Sequence, residues 1–142
     1  MSDHSTDGLT PLHSVIDVRG RLLVGEFPHQ IPFEVHRFFV VSEVPEGVSR
    51  GGHAHRACHQ FVVVLSGTVT IDVSHEATHR RLVLGSHDAG LHIPPGVFAR
   101  QSDFSPGAIM LVLASEPYDP DDYVDRDDRD DSGGNGREPS AP

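Results

Sequence analysis

The sequence predicts an all-β fold, a single-domain barrel or sandwich of the jelly-roll kind, and three observations carry that prediction. Short runs rich in valine, isoleucine and phenylalanine recur along the chain at the 8 to 12 residue spacing of such folds. Each run is bounded by glycine, proline, serine or aspartate, the residues that turn a chain. No stretch of ten or more residues carries a convincing helical period; only "DPDDYVD", near residue 121, suggests a single turn.

The strands follow in order. "SVIDV" (14–18) and "RLLVGEF" (21–27) flank an Arg-Gly turn, and "VHRFFVVSEV" (35–44) follows a proline-bounded loop. "HQFVVVLSG" (59–67) and "AIMLVLAS" (108–115) are apolar throughout their centres, which predicts central strands covered on both faces. "TVTIDV" (68–73) alternates, as suits one wet and one buried face. "HRRLVLG" (79–85) and "LHIP" (91–94) complete the set. A jelly roll of this size is suited to enclosing a small-molecule pocket.

The ends differ from the middle. Residues 1–11 are polar and are expected to be a mobile lead; residues 12–125 are expected to form the domain. Residues 126–142, "RDDRDDSGGNGREPSAP", offer too little apolar surface to offset their ordering entropy, so a disordered acidic tail is predicted there. The formal net charge of −10 is concentrated near this end: residues 118–131 hold eight aspartates against two arginines. That leaves a weakly charged body and no electrostatic reason to expect a nucleic-acid partner. One cysteine, Cys58, excludes an internal disulfide framework. No signal-like leader and no apolar run of membrane-spanning length is present, so a cytoplasmic protein without a membrane partner is expected.

The chemistry gathers in "SRGGHAHRACHQFVVVLSG" (49–67). On a strand, residues two apart share a face, so His53 and His55 point into one space. Gly47, His53, His55, Gln60 and Gly67 reproduce the spacing of the first cupin motif, with Gln60 where a glutamate is usual. "PPGVFARQSD" resembles the second motif, with Ala99 where a histidine is usual. Two imidazoles and an amide oxygen fall short of three or four strong ligands, so a metal-free site is predicted. His59 and His92 are the remaining candidate ligands. His4, His13, His29, His75, His79 and His87 lie in polar or turn contexts and are expected to be solvated, and His36 to be an exposed strand residue.

Four ordered blocks resemble the dTDP-4-oxo-6-deoxy-sugar 3,4-ketoisomerases, metal-independent cupins. These are "DVRGRLLVGEF", "IPFEVHRFFV", "RGGHAHR" and "VLASEPYDPDDYV", and the resemblance spans roughly residues 12–125. It implies proton transfer between adjacent carbons of a dTDP-linked 4-oxo-6-deoxyhexose through an enediolate, giving the 3-oxo isomer without a cofactor. It assigns His53 and His55 to catalysis and Arg37, Arg50, Gln60 and Phe39 to substrate binding. It further implies a homodimer with exchanged N-terminal strands. The chain departs from the family where a tyrosine usually follows the early arginine: it reads Arg37-Phe38-Phe39, and its tyrosines are Tyr118 and Tyr123 alone. Two other readings stay open: a non-catalytic sugar-nucleotide-binding cupin, and a cupin performing another isomerisation, cyclisation or lyase step.

Overall fold

The computed structural model describes residues 8–86 and 89–125. Twelve strands are seen among them: β1 (Leu9–Pro11), β2 (His13–Asp17), β3 (Gly20–Val24), β4 (Arg37–Ser42), β5 (Arg50–His55), β6 (Gln60–Ser66), β7 (Thr68–His75), β8 (Thr78–Gly85), β9 (Ala89–Ile93), β10 (Phe98–Ser102), β11 (Ile109–Ala114) and β12 (Tyr123–Asp125). A 3₁₀ turn at Pro120–Asp122 is the single turn expected near residue 121. Two five-stranded antiparallel sheets, ordered β1-β9-β6-β11-β4 and β12-β5-β10-β7-β8, make the jelly roll, and β2-β3 form a separate hairpin.

The core lies between the sheets. Val62, Val64, Val69, Ile71, Leu91, Met110 and Val112 are essentially inaccessible there. Burying a side chain of that size stabilises by about 1.5–3 kcal/mol. A second cluster explains why "FVVVL" is apolar on alternate positions of both parities. Phe61 and Val63 point outward from β6 and are covered by Ile31 and Phe33 of the loop before β4. Phe61 occupies the space of a missing side chain: a Cβ on Gly90 would lie 2.1 Å from its ring atoms. The two all-apolar runs are thus covered as expected.

Three differences from the sequence expectations have local causes. Residues 9–11, assigned to the lead, form β1 and pair with β9, Leu9 opposite Leu91. The run 21–27 ends at Val24, since the chain leaves the hairpin ahead of Pro28, and the run 35–44 narrows to Arg37–Ser42. Strands β10 and β12 are not among the expected runs, and β5 is anticipated only through the strand spacing of His53 and His55. The predicted disordered tail, His4 and His87 lie outside the described residues.

Candidate active site

β5 carries the "RGGHAH" segment into the edge region of the second sheet, between β10 and β12. Gly51 makes its approach possible: it sits at φ +80°, and a Cβ there would lie 2.8 Å from Gln101 Oε1 and 3.0 Å from the Ala99 carbonyl oxygen. Only glycine tolerates both that φ and that proximity. Register then fixes the neighbours. His55 stands opposite Tyr123, and His53 stands opposite Ala99 on one side and Asp125 on the other. Directly opposed residues share a face, so Tyr123, His53 and His55 converge. Their rings confirm it: His53 to His55 is 5.4 Å between centroids, His53 to Tyr123 4.3 Å, and His55 to Tyr123 4.7 Å.

These three rings line one cavity with Phe39, Arg50, Gln60, Ala99 and Gln101, over a floor of Met110 and Val112. His55 is buried and oriented from behind. Its Nδ1 lies 2.9 Å from Asp122 Oδ2, while its Nε2 is 3.4 Å from Gln60 Nε2 on the cavity side. With the carboxylate at Nδ1, the proton of the neutral ring belongs on Nδ1 and Nε2 keeps its lone pair. Asp122 is itself held: the Ala57 amide donates to Oδ1 at 2.7 Å and the Cys58 amide to Oδ2 at 3.3 Å. The 3₁₀ turn presents it, capped by the Asp119 side chain accepting from the Asp121 amide.

The electrostatics favour a neutral imidazole beside an ionised carboxylate. Burial pushes the His55 imidazolium below its ordinary range; the hydrogen bond and charge of Asp122 oppose this, and the Arg37 charge adds to it. Burial alone would raise the Asp122 carboxyl, but the Ala57 and Cys58 amides and His55 outweigh it and hold the group below the usual carboxylate value. Burial raises the Tyr123 phenol, partly offset by the charge and hydrogen bond of Arg37. Arg37 lies over the Phe39 ring at 5.4 Å and the Tyr118 ring at 5.8 Å, with Nε and Nη1 buried and without a partner. Buried donors of this kind are costly unless a ligand accepts from them.

All six residues singled out from sequence are therefore near one another: Phe39, Arg50, Gln60, His53 and His55 on the cavity wall, and Arg37 beside Tyr123. His59 and His92 are elsewhere. They pair with each other, His59 Nδ1 to His92 Nε2 at 3.0 Å, against Phe33 of the outer cluster, and do not line the cavity. Ligand atoms of His55, Cys58 and Asp122 come within 4.8 Å of one another. Hydrogen bonds account for the grouping, since Asp122 is engaged by His55 and two amides and the Cys58 thiol donates to the His59 carbonyl oxygen. Asp122, Tyr123 and Gln101 were missed from sequence; the closing "DPDDYV" block was the available signal for the first two.

Comparison with known proteins places this geometry. Residues 5–130 match the family model described as FdtA: WxcM-like, C-terminal. The chain belongs to this family. A TDP-4-oxo-6-deoxy-alpha-D-glucose-3,4-oxoisomerase of Aneurinibacillus thermoaerophilus is 34% identical over 110 residues, 78% of this chain and 79% of that protein. The sugar 3,4-ketoisomerase QdtA of Thermoanaerobacterium thermosaccharolyticum, solved in complex with TDP, is 33% identical with a TM-score of 0.80, over 85% of this chain and 88% of that one. The TDP-quinovose 3,4-ketoisomerase WlaRB of Campylobacter jejuni is 30% identical with a TM-score of 0.79, over 83% and 91%. The FdtA-like family thus shares the jelly roll of this chain, and the ketoisomerase fold predicted from the four sequence blocks is the fold observed.

Proposed function

We propose that this chain is a sugar-nucleotide 3,4-ketoisomerase converting dTDP-4-oxo-6-deoxyglucose to its 3-oxo isomer. The observation that carries this reading is the His55–Asp122 pair, whose Nε2 stands ready on the cavity side next to a second imidazole. The 4-ketone of such a sugar acidifies the hydrogen on C3. A base near neutrality within about 3 Å of that hydrogen removes it, giving an enediolate. His55, kept neutral by burial, takes this proton through Nε2. His53, at right angles to it, assists delivery at C4, and the two imidazoles between them lose and regain one proton per turnover. Arg37 and Arg50 supply fixed donors for the sugar oxygens or the diphosphate, and Gln60 hydrogen bonds the sugar beside His55. Phe39 gives the sugar an apolar wall. No step calls on a resident cofactor.

A homodimer with exchanged N-terminal strands fits the surface. Ile16, Val18 and Leu22 of the hairpin and Phe38 of β4 are exposed, an apolar cost that a second copy removes. No helix among the described residues is long and apolar enough to cross a membrane. We take the ordered domain to run from β1 to residue 125, in a protein of the cytoplasm.

The test is to incubate chelator-treated protein with dTDP-4-oxo-6-deoxyglucose in deuterium oxide and follow the sugar by NMR. Formation of the 3-oxo isomer with deuterium at C4 is expected. Binding without exchange would make the chain a non-catalytic sugar-nucleotide cupin, and no binding would point to another small-molecule reaction.

A further inference from the structure

Moving a ketone from C4 to C3 relocates two protons, not one. The carbon-bound proton leaves C3 and a proton arrives at C4, which the imidazoles handle. Separately, the hydroxyl proton on O3 must disappear and one must appear on O4. Leaving O4 as an oxyanion throughout is costly in a buried site, so a donor that can reach both oxygens lowers the barrier.

We infer that Tyr123 is this oxygen-side relay, a third catalytic residue alongside His53 and His55, an inference that rests on the ketoisomerase reading above. Tyr123 lines the cavity, packs against both imidazoles at 4.3 and 4.7 Å, and lies within the electrostatic influence of the Arg37 guanidinium. The step balances. As an imidazole removes the C3 proton, the phenol gives its proton to O4 and a neutral enediol results, with the phenolate stabilised by the Arg37 charge. The phenolate then takes the proton from O3 while an imidazolium protonates C4, restoring the phenol and leaving the ketone at C3. Burial keeps the resting phenol protonated, so the proton is in place when substrate arrives. The titratable groups around it are His53, His55, Arg37, Tyr118 and Cys58. Among the described residues Tyr123 is the hydroxyl on the cavity wall that can act in this way; the positions after Arg37 are Phe38 and Phe39, which have none.

The test compares the wild type, Tyr123→Phe and His55→Asn on dTDP-4-oxo-6-deoxyglucose, measuring kcat, KM and dTDP affinity. Tyr123→Phe keeps the ring that packs between the imidazoles. A fall in kcat of roughly 10²-fold, the usual contribution of a general acid–base group, with KM and dTDP affinity changed less than threefold, is expected. Site-specific 3-fluorotyrosine at position 123 supplies a second readout: its more acidic phenol is expected to move the alkaline limb of the kcat profile to lower pH. Near-normal kcat in Tyr123→Phe while His55→Asn is inactive would overturn the relay and leave the ketoisomerase reading standing. An alkaline limb unmoved by fluorination would also overturn it. A wild-type chain that converts no substrate would remove both.

Discussion

His55 and Asp122, 67 residues apart in the chain, are joined by a 2.9 Å hydrogen bond from Nδ1 to Oδ2. The bond points the other ring nitrogen toward the cavity and selects its tautomer. Asp122→Asn keeps the size of the side chain but cannot hold the same proton arrangement. Turnover is expected to fall by about 10²-fold or more, with stability lowered by roughly 1–3 kcal/mol as the Ala57 and Cys58 amides lose a charged acceptor. Steady-state kinetics and thermal melts on the one variant separate the two effects.

The pH dependence follows from the same pair. As the proposed base, His55 must be neutral to act, and its pKa lies below the ordinary 6.5, chiefly through burial. The acid limb of kcat/KM is therefore expected below pH 6.5, with rate lost as pH falls. Removing the Asp122 charge takes away an influence that raises the pKa, so in Asp122→Asn the limb moves further toward acid.

Stability should track acidification in the same direction. An unfolded chain binds more protons than the fold wherever a folded pKa is depressed, so stability rises with pH across that window. For His55 the window opens just below pH 6.5. For Asp122 stability is full above about 3.8 and is lost as pH falls through the folded value. Melting temperatures read from pH 7.5 down to 4 are expected to decline from about pH 6.5, and less steeply in His55→Asn.

How much of this was legible depends on what each strand faces. β6 and β11 were readable because both of their faces bury apolar side chains. β5, β10 and β12 were not, since they line a cavity: "RGGHAH", "FARQS" and "YVD" present imidazole, amide and phenol where a core strand would present valine. Both β5 glycines, Gly51 and Gly52, sit at positive φ, which in sequence reads as a turn. The HxH spacing put both imidazoles in one cavity because same-face geometry is local. Nothing local couples Asp122 to His55, a contact made only when β12 pairs with β5.

The metal question has a constructive test. Ala99 lies across the register from His53 and lines the same cavity as Gln60. The double variant Gln60→Glu, Ala99→His restores a carboxylate and a third imidazole, and is expected to retain about one equivalent of zinc or nickel after dialysis, where the wild type retains none. Elemental analysis decides it. Stoichiometric metal in the dialysed wild type would contradict the reading of these two positions.

Packing yields a prediction away from the chemistry. Gly90→Ala would drive a Cβ to 2.1 Å from the Phe61 ring, with β6 and β9 fixed in register around it. Overpacking of this kind costs about 1–3 kcal/mol, which calorimetry would register as a lower Tm. Gly107→Ala, at φ +76° with open space around it, isolates the backbone contribution and is expected to cost about 1–2 kcal/mol.

The placement of β12 has a practical side. This short strand, the last among the described residues, and the turn before it bring Asp122 and Tyr123 to His55, yet they contribute no residue to the central apolar clusters. Trimming the chain back past residue 118, by a protease or a cloning decision, would therefore leave a well-packed but inert shell. Affinity tags and fusion partners belong beyond residue 125, and a soluble preparation is no guarantee of an intact catalyst.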